Sequence, residues 1–152
     1  MSELTRGAFV PLFDRLSTAD TNFKTEPLLT PEQLQSSIAR DLSRLLNTRS
    51  SLLVAEYIAQ AGTTLDYGMP DISALSAKSD SDLAVLQTLV THAIQCFEPR
   101  LNHVEVKAFA STKFAGGVVL IISGVVTIGL MLRQLNFELQ VDQRQTTRVG
   151  VA

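Results

Sequence analysis

The stretch FAGGVVLIISGVVTIGLML, residues 114–132, decides which fold the chain adopts. It carries no charge and, at about 19 residues, is long enough to cross a bilayer as a helix. β-Branched residues dominate it, however, and Gly116, Gly117, Gly124 and Gly129 interrupt it, a composition that favours a buried strand. We predict that residues 116–132 form the central strand of an antiparallel sheet, with a membrane-spanning helix as the alternative.

Segments with the period of a half-exposed strand lie on both sides of this stretch. Apolar and polar residues alternate over residues 103–108 and again over residues 135–142. Residues 147–151 are interpreted as a short edge strand. The C-terminal half is therefore predicted to be a mostly antiparallel sheet of three to four strands.

In the first half of the chain, apolar residues recur at the spacing of an α-helix instead. Thr30, Pro31 and Gln33 supply a capping hydroxyl, a proline at the first helical position and the third member of a capping box. The apolar stripe that begins at Leu34 predicts an amphipathic helix that ends at about Asn47.

A second long helix is predicted between a weaker capping box and a proline. Ser79 and Asp82 form the box, and helical spacing continues to Phe97 or Glu98, just before Pro99. Two shorter helices are predicted, over residues 9–16 and 52–61. The sequence of residues 66–71 contains glycine and proline and predicts an ordered loop.

The composition indicates one domain. At 152 residues, with 45% hydrophobic and 18% charged residues, the chain has the size and make-up of a single globular domain. We expect an α+β fold in which two or three N-terminal helices pack on the C-terminal sheet. Residues 1–29 are expected to form an N-terminal arm with a short helix, and residues 143–152 a tail or edge strand. The net charge is −2 without runs of like charge, so nucleic acid is not an expected partner.

Two features predict a protein that stays in the cytoplasm. The single cysteine, Cys96, cannot form an internal disulfide, which suits a reducing compartment. The first residues lack the basic start and apolar run of an export signal.

Catalytic and metal-binding patterns are missing from the sequence. His92 and His103 have no neighbouring ligand at metal spacing, and there is no phosphate loop, serine elbow or CxxC pair. Glu32 and Asp41 lie on one predicted helix, which turns about 900° between them and separates them by roughly 13 Å along its axis. They cannot act on one glycosidic bond. We interpret both as solvated charges and expect no catalytic residue, no cofactor and no metal.

The cluster FEPRL, residues 97–101, is the most informative of the polar motifs. A glutamate at a helix C-terminus faces the negative end of the dipole, which disfavours it by about 0.3–1 kcal/mol. Arg100 can fold back past Pro99 to pair with Glu98, or both side chains can pair with opposite charges on a partner. A third interpretation is an exposed pair that contributes roughly 0–1 kcal/mol. Spacing alone leaves all three open.

Four groups of residues, in order, resemble the signature segments of the TssE proteins of type VI secretion. They are PLFDRL at 11–16, SI at 37–38 with LLNTR at 45–49, DYGMPD at 66–71, and FEPRL at 97–101. TssE proteins are similar to a baseplate wedge protein of contractile-tailed phages that has been labelled lysozyme-like. The resemblance covers residues 11–142.

The resemblance implies a structural subunit and not an enzyme. The implied partners are the baseplate subunits TssF, TssG and TssK and the sheath proteins TssB and TssC, at the cytoplasmic face of the membrane-docked apparatus. A similar fold in the sheath proteins implies that an exposed strand edge starts sheath growth. The residues expected to make protein contacts are Glu98, Pro99, Arg100, Leu101, Asn47, Arg49, Tyr67, Gly68, Pro70 and Asp71.

The sequence departs from the family pattern in two places, because residues 50–64 are longer than the usual segment and residues 116–132 are unusually apolar. The alternative function is a peptidoglycan hydrolase carried by the machine, with Glu98 as its acid. The nearest second carboxylate, Glu105, lies on a predicted strand with no reason to converge on Glu98.

Overall fold

The computed structural model describes residues 8–9, 28–112, 116–141 and 148–151. Within these ranges the chain contains, in order, β1 (Ala8–Phe9), β2 (Leu28–Leu29), α1 (Pro31–Asn47), α2 (Val54–Ala59), a 3-10 turn (Thr64–Asp66), α3 (Asp80–Phe97), β3 (Asn102–Ala110), β4 (Val118–Ile128), β5 (Met131–Val141) and β6 (Arg148–Val151). The helix predicted over residues 9–16 falls outside the described residues, except that Phe9 itself pairs with Leu28 in β1 and β2.

The predicted capping box starts α1. The Gln33 backbone N–H donates to Thr30 Oγ1 at 3.3 Å, and the Thr30 backbone N–H donates to the side-chain oxygen Oε1 of Gln33 at 2.9 Å. Pro31 occupies the first helical position, where its missing N–H leaves no hydrogen bond unmade. These local signals start α1 at Pro31 as the sequence predicts, and the helix ends at Asn47, also as predicted.

Two of the other predicted helices are also present, one of them shorter than predicted. Ser79 Oγ accepts a hydrogen bond of 3.3 Å from the Asp82 N–H, and α3 ends at Phe97 as expected. Helix α2 is shorter than predicted and stops at Ala59. The chain beyond it must stay extended to bring Gly62 onto the Phe97 ring, so closely that a Cβ at Gly62 would lie 2.7 Å from Phe97 Cζ.

The sheet is antiparallel, as predicted. Four antiparallel strands follow the order β3-β4-β5-β6, so β4 has a neighbour on each side. The prediction of one strand over residues 116–132 is wrong at its end, because Ile128 pairs with Met131 across a two-residue turn. Gly129 has φ +60 and therefore takes a turn conformation that β-branched residues avoid. Residues 131 and 132 belong to the next strand.

The apolar stretch that raised the membrane alternative is therefore part of a β-hairpin, with Val118–Ile128 as one of its strands. Among the residues that the structure describes, no helix combines the length and the apolar character needed to cross a bilayer.

A single hydrophobic core lies between one face of the sheet and the helices α1 and α3. Every second residue of β4 enters the core, and in β5 the same alternation runs from Leu135 to Leu139. The large side chains from the two strands are those of Leu120, Ile122, Val126, Leu135, Phe137 and Leu139. The helices contribute Ile38, Leu42, Leu45, Leu89, Val90, Ala93 and Ile94. The two helices are thereby fixed relative to the sheet, and so are the loops at their ends.

Candidate functional site

The turn between α3 and β3, residues 98–101, is the corner at which the predicted motif lies. The Glu98 N–H still donates to the Ile94 carbonyl at 2.8 Å, and the Leu101 N–H donates to the Glu98 carbonyl at 3.1 Å. Pro99 has no N–H to continue the helix, so the chain turns here and enters the sheet. The corner is therefore a tight, hydrogen-bonded turn.

Glu98 and Arg100 form a buried ion pair across the corner. The Glu98 side chain is only 4% exposed. Arg100 Nε donates to Glu98 Oε1 at 2.6 Å, and Arg100 Nη2 donates to Glu98 Oε2 at 2.5 Å. Two parallel hydrogen bonds of this kind are stronger and more specific than one. Of the three interpretations left open by the sequence, the structure has Arg100 folded back onto Glu98.

Arg100 also reaches α1. Its Nη2 donates to Asp41 Oδ2 at 2.7 Å, and its Nη1 donates to Ser37 Oγ at 3.2 Å. We call Ser37, Asp41, Glu98 and Arg100 the Arg100 cluster. The interpretation of Asp41 as a solvated charge is wrong, because α3 and β3 bring Arg100 against this face of α1. Glu32 remains 77% exposed and lies 4.0 Å from Arg133 instead, so the two carboxylates face different partners.

The opposite charges of the Arg100 cluster stabilise one another. Burial of Arg100 opposes its charge, but the hydrogen bonds and negative charges of Glu98 and Asp41 outweigh burial and raise the pKa of the guanidinium. Arg44 Nη1 adds a second cation 3.3 Å from Asp41 Oδ1. Two carboxylates are thus matched by two guanidinium groups.

A second group of predicted contact residues meets where α1 ends. The Ser50 N–H donates to the Met69 carbonyl, and the Met69 N–H donates to the Thr48 carbonyl, both at 2.8 Å. These bonds align Arg49 beside Met69 as a short parallel bridge. Arg49 Nη1 lies 3.3 Å from the Pro70 carbonyl and 3.5 Å from Asp71 Oδ1. The LLNTR and DYGMPD segments therefore lie together although they are distant in sequence.

Gly68 allows this close approach. Its φ is +119, and a Cβ at this position would lie 2.6 Å from the Thr48 carbonyl oxygen. Only glycine accepts both the backbone conformation and the contact. The Tyr57 hydroxyl donates to the Gly68 carbonyl at 2.6 Å. The long segment of residues 50–64 thus buries Tyr57 beneath the loop that contains Gly68.

Tyr67 joins the two groups. Its ring contacts the Phe97 ring edge to face, with centroids 5.3 Å apart. Burial and, after it, the charge of Asp41 raise the pKa of Tyr67. The predicted contact residues consequently form one continuous strip that runs from Asp71 past Tyr67 to the corner.

The strip contains fewer surface residues than the sequence suggests. Glu98, Leu101, Gly68 and Pro70 are buried, Tyr67 and Arg100 are half-buried, and Asn47, Arg49, Asp71 and Pro99 are exposed. Leu101 packs over Gly124, where a Cβ would lie 2.5 Å from Leu101 Cγ. The buried members shape the surface, and a partner can contact only the others.

The two carboxylates of the hydrolase alternative, Glu98 and Glu105, pair with different cations. Glu105 is exposed and pairs with Lys107 at 3.1 Å, and both oxygens of Glu98 are occupied by Arg100. Cys96 Sγ lies 3.6 Å from His92 Nε2, but the described residues hold no group of three potential metal ligands. A mainly apolar cavity of about 240 Å³ beside Arg49 contains Asp82 as its one carboxylate among the lining residues described.

Comparisons with known proteins agree with this architecture. Residues 32–128, more than half of the chain, match the family described as "Baseplate wedge protein gp25". A solved structure described as "The baseplate complex from the type VI secretion system" contains a chain of similar fold, with a TM-score of 0.52 and 22% identity. The alignment covers 73% of this chain and 96% of that chain. No curated protein matches significantly.

Proposed function

Because the chain belongs to the family of the baseplate wedge protein gp25, we propose that it is a TssE-type structural subunit of a type VI secretion baseplate. The predicted family relationship is confirmed over residues 32–128, which contain three of the four sequence segments. A family of baseplate wedge proteins indicates a structural role, and binding is accordingly the activity that we propose.

The observation that carries the proposal is the extent of the match. Residues 32–128 include all of α1 except Pro31, the Arg100 cluster, the loop around Gly68 and the two strands β3 and β4. The match therefore covers the surface strip and the outer strand β3, which are the two surfaces to which the proposal assigns partners.

We assign the surface strip to the core subunits of the wedge. Arg49, Asp71, Asn47 and Pro99 are exposed, and the strip mixes both charges with a proline and the edge of the Tyr67 ring. Such a surface suits a polar, shape-specific protein contact. TssF and TssG are the proposed partners at this strip, and TssK is a further proposed component of the same assembly.

We assign the edge of the sheet to the sheath proteins TssB and TssC. β3 pairs with β4 on one side only, and its backbone is regular from Glu105 to Ala110 after a register shift near its start. A regular outer strand offers unpaired N–H and C=O groups that a partner strand can extend. In this proposal the subunit acts at the cytoplasmic face of the docked apparatus and starts sheath growth.

The test is affinity capture of the full chain from its native cell, followed by mass spectrometry of the bound proteins. Recovery of TssF and TssG homologues is the expected result. Recovery of no baseplate subunit would falsify the proposal. The hydrolase alternative is tested in parallel with purified protein and cell-wall material; release of muropeptides by the unmodified chain, abolished in Glu98→Gln, would establish it.

A further inference from the structure

The Arg100 guanidinium uses most of its hydrogen-bond donors inside the chain. Arginine has five N–H groups. Nε and one Nη2 hydrogen are directed at Glu98, the second Nη2 hydrogen at Asp41, and one Nη1 hydrogen at Ser37. With four of its five N–H groups used by two different elements, the guanidinium has only one left and cannot form a two-bond pair with a carboxylate on a partner. The motif therefore contributes to a protein contact mainly through the shape that it maintains.

Asp41 provides the link between the corner and α1. Glu98 is two residues from Arg100 and can fix only the turn itself, whereas Asp41 lies 59 positions earlier on a separate helix. The bond from Arg100 to Asp41 thus determines how the corner sits against α1. Ser37 lies one helical turn before Asp41 on the same face and holds the other terminal nitrogen.

We propose that Asp41, supported by Ser37, is a positioning residue for the protein-binding strip. It holds Arg100, and through Arg100 the turn at Pro99, in the orientation that a core baseplate subunit binds. This inference rests on the proposed function and adds to it a residue that the FEPRL motif does not contain.

The cluster allows the positioning role to be separated from folding. The Asp41 side chain is 29% exposed and the Arg100 side chain 27%, so loss of their ion pair leaves both groups able to reach water. Half-exposed ion pairs contribute little to folding. Glu98 is different because it is buried. Asp41→Asn keeps the size of the side chain and removes its charge, and the variant is expected to fold.

The test measures the affinity of purified full-length variants for a purified TssF–TssG complex. Asp41→Asn is expected to bind at least tenfold more weakly than the unmodified chain, and Asp41→Glu, which restores the carboxylate, is expected to regain part of the affinity. Arg100→Lys keeps the charge but loses the planar fork, and with it the bonds to both Asp41 and Glu98, so it is expected to bind at least as weakly as Asp41→Asn. The double variant is expected to bind no more weakly than Arg100→Lys alone, because that change already removes the bond from Arg100 to Asp41.

Arg44→Gln is the matched control. Arg44 also contacts Asp41, at 3.3 Å, but it does not touch Glu98 or Arg100 in the Arg100 cluster, and its side chain is 58% exposed. It is expected to bind within about threefold of the unmodified chain. Melting temperatures of all variants are measured alongside. If Asp41→Asn is too unstable to assay, Ser37→Ala replaces it, with an expected three- to tenfold loss.

Three outcomes separate the inference from the function on which it rests. If the unmodified chain does not bind TssF–TssG, the proposed function fails and the inference fails with it. If the unmodified chain and Asp41→Asn bind equally well, the positioning role of Asp41 alone is overturned. Losses that multiply in the Asp41→Asn and Arg100→Lys double variant also overturn it, since independent effects exclude a shared bond.

Discussion

The Tyr57 hydroxyl donates a 2.6 Å hydrogen bond to the backbone carbonyl of Gly68. Tyr57 is only 2% exposed, and its ring also meets the His92 ring at 5.2 Å between centroids. One phenol therefore connects α2, the loop of the DYGMPD segment and α3. Burial is the largest of the causes that raise the pKa of Tyr57 from 10.0 to about 12.

This raised pKa predicts an alkaline loss of stability. Between pH 10 and about 12 the unfolded chain loses the Tyr57 proton while the folded chain keeps it, so the free energy of unfolding falls as pH rises through this window. The fall due to Tyr57 is on the order of 2 kcal/mol. Tyr57→Phe should lack this component. Urea unfolding of both proteins at several pH values across the window measures this component. If the free energy of unfolding falls equally with pH in both proteins, another group is responsible. Tyr67 is present in both proteins and serves as an internal control.

Gly68→Ala is expected to destabilise the fold by about 3 kcal/mol, because the new Cβ meets the Thr48 backbone and the φ of +119 is unfavourable for alanine. Gly62→Ala is the matched control. Its Cβ would lie 2.7 Å from the end of the Phe97 ring, which can move, and 3.4 Å from Cys96 Cβ, so its cost is expected to be about 1 kcal/mol. Chemical denaturation of both variants provides the comparison. A larger loss in Gly62→Ala would contradict the role of Gly68.

The two members of the buried ion pair should respond unequally to truncation. Arg100→Ala leaves the Glu98 carboxylate, 4% exposed, without its counter-ion, and a loss of about 3 kcal/mol is expected. Glu98→Ala leaves Arg100 with Asp41 and with access to water, so about 1–2 kcal/mol is expected. Denaturant midpoints of the two variants decide the order. Equal losses would mean that Glu98 reaches water when Arg100 is absent.

Leu130 lies at the tip of the β4–β5 hairpin with 92% of its surface exposed, next to Met131 and Leu132. Leu130→Ser is expected to change the free energy of unfolding by less than about 0.5 kcal/mol and to increase solubility. Gly129→Ala, one residue earlier, should cost about 1 kcal/mol because Gly129 has φ +60. Thermal unfolding and the concentration at which each variant precipitates check both expectations. Strong destabilisation by Leu130→Ser would indicate a contact of Leu130 within the fold.

The helices could be predicted from the sequence because their signals are local. Thr30 and Gln33 are three residues apart, and Ser79 and Asp82 are too, so the caps need no knowledge of the rest of the fold. The end of β4 was predicted wrongly for the opposite reason. Gly124 and Gly129 look alike in sequence, but Gly124 is required where Leu101 crosses the sheet, whereas Gly129 makes the turn.

In the site, too, contacts between neighbouring residues could be predicted from the sequence, whereas contacts between distant residues could not. The pairing of Glu98 with Arg100 was one of three interpretations of a short motif, and it spans two residues. The bond from Arg100 to Asp41 spans 59 positions and exists only because the core packs α1 against the corner. Asp41 carries no signal in its own neighbourhood that separates it from Glu32. The only hint was Ser37, which lies one turn away and within a segment that resembles the family.

β4 lies between β3 and β5, and its backbone is therefore the part of the sheet most protected from hydrogen exchange. Leu120 and Ile122 have hydrogen-bonded neighbours on both sides, so their amide hydrogens exchange with solvent only when the whole domain unfolds. The chain contains no tryptophan, and its intrinsic fluorescence is a poor reporter. Deuterium uptake at these amides therefore gives the global stability directly. Uptake at the register shift between Asn102 and Glu105 should be much faster, because local opening suffices there.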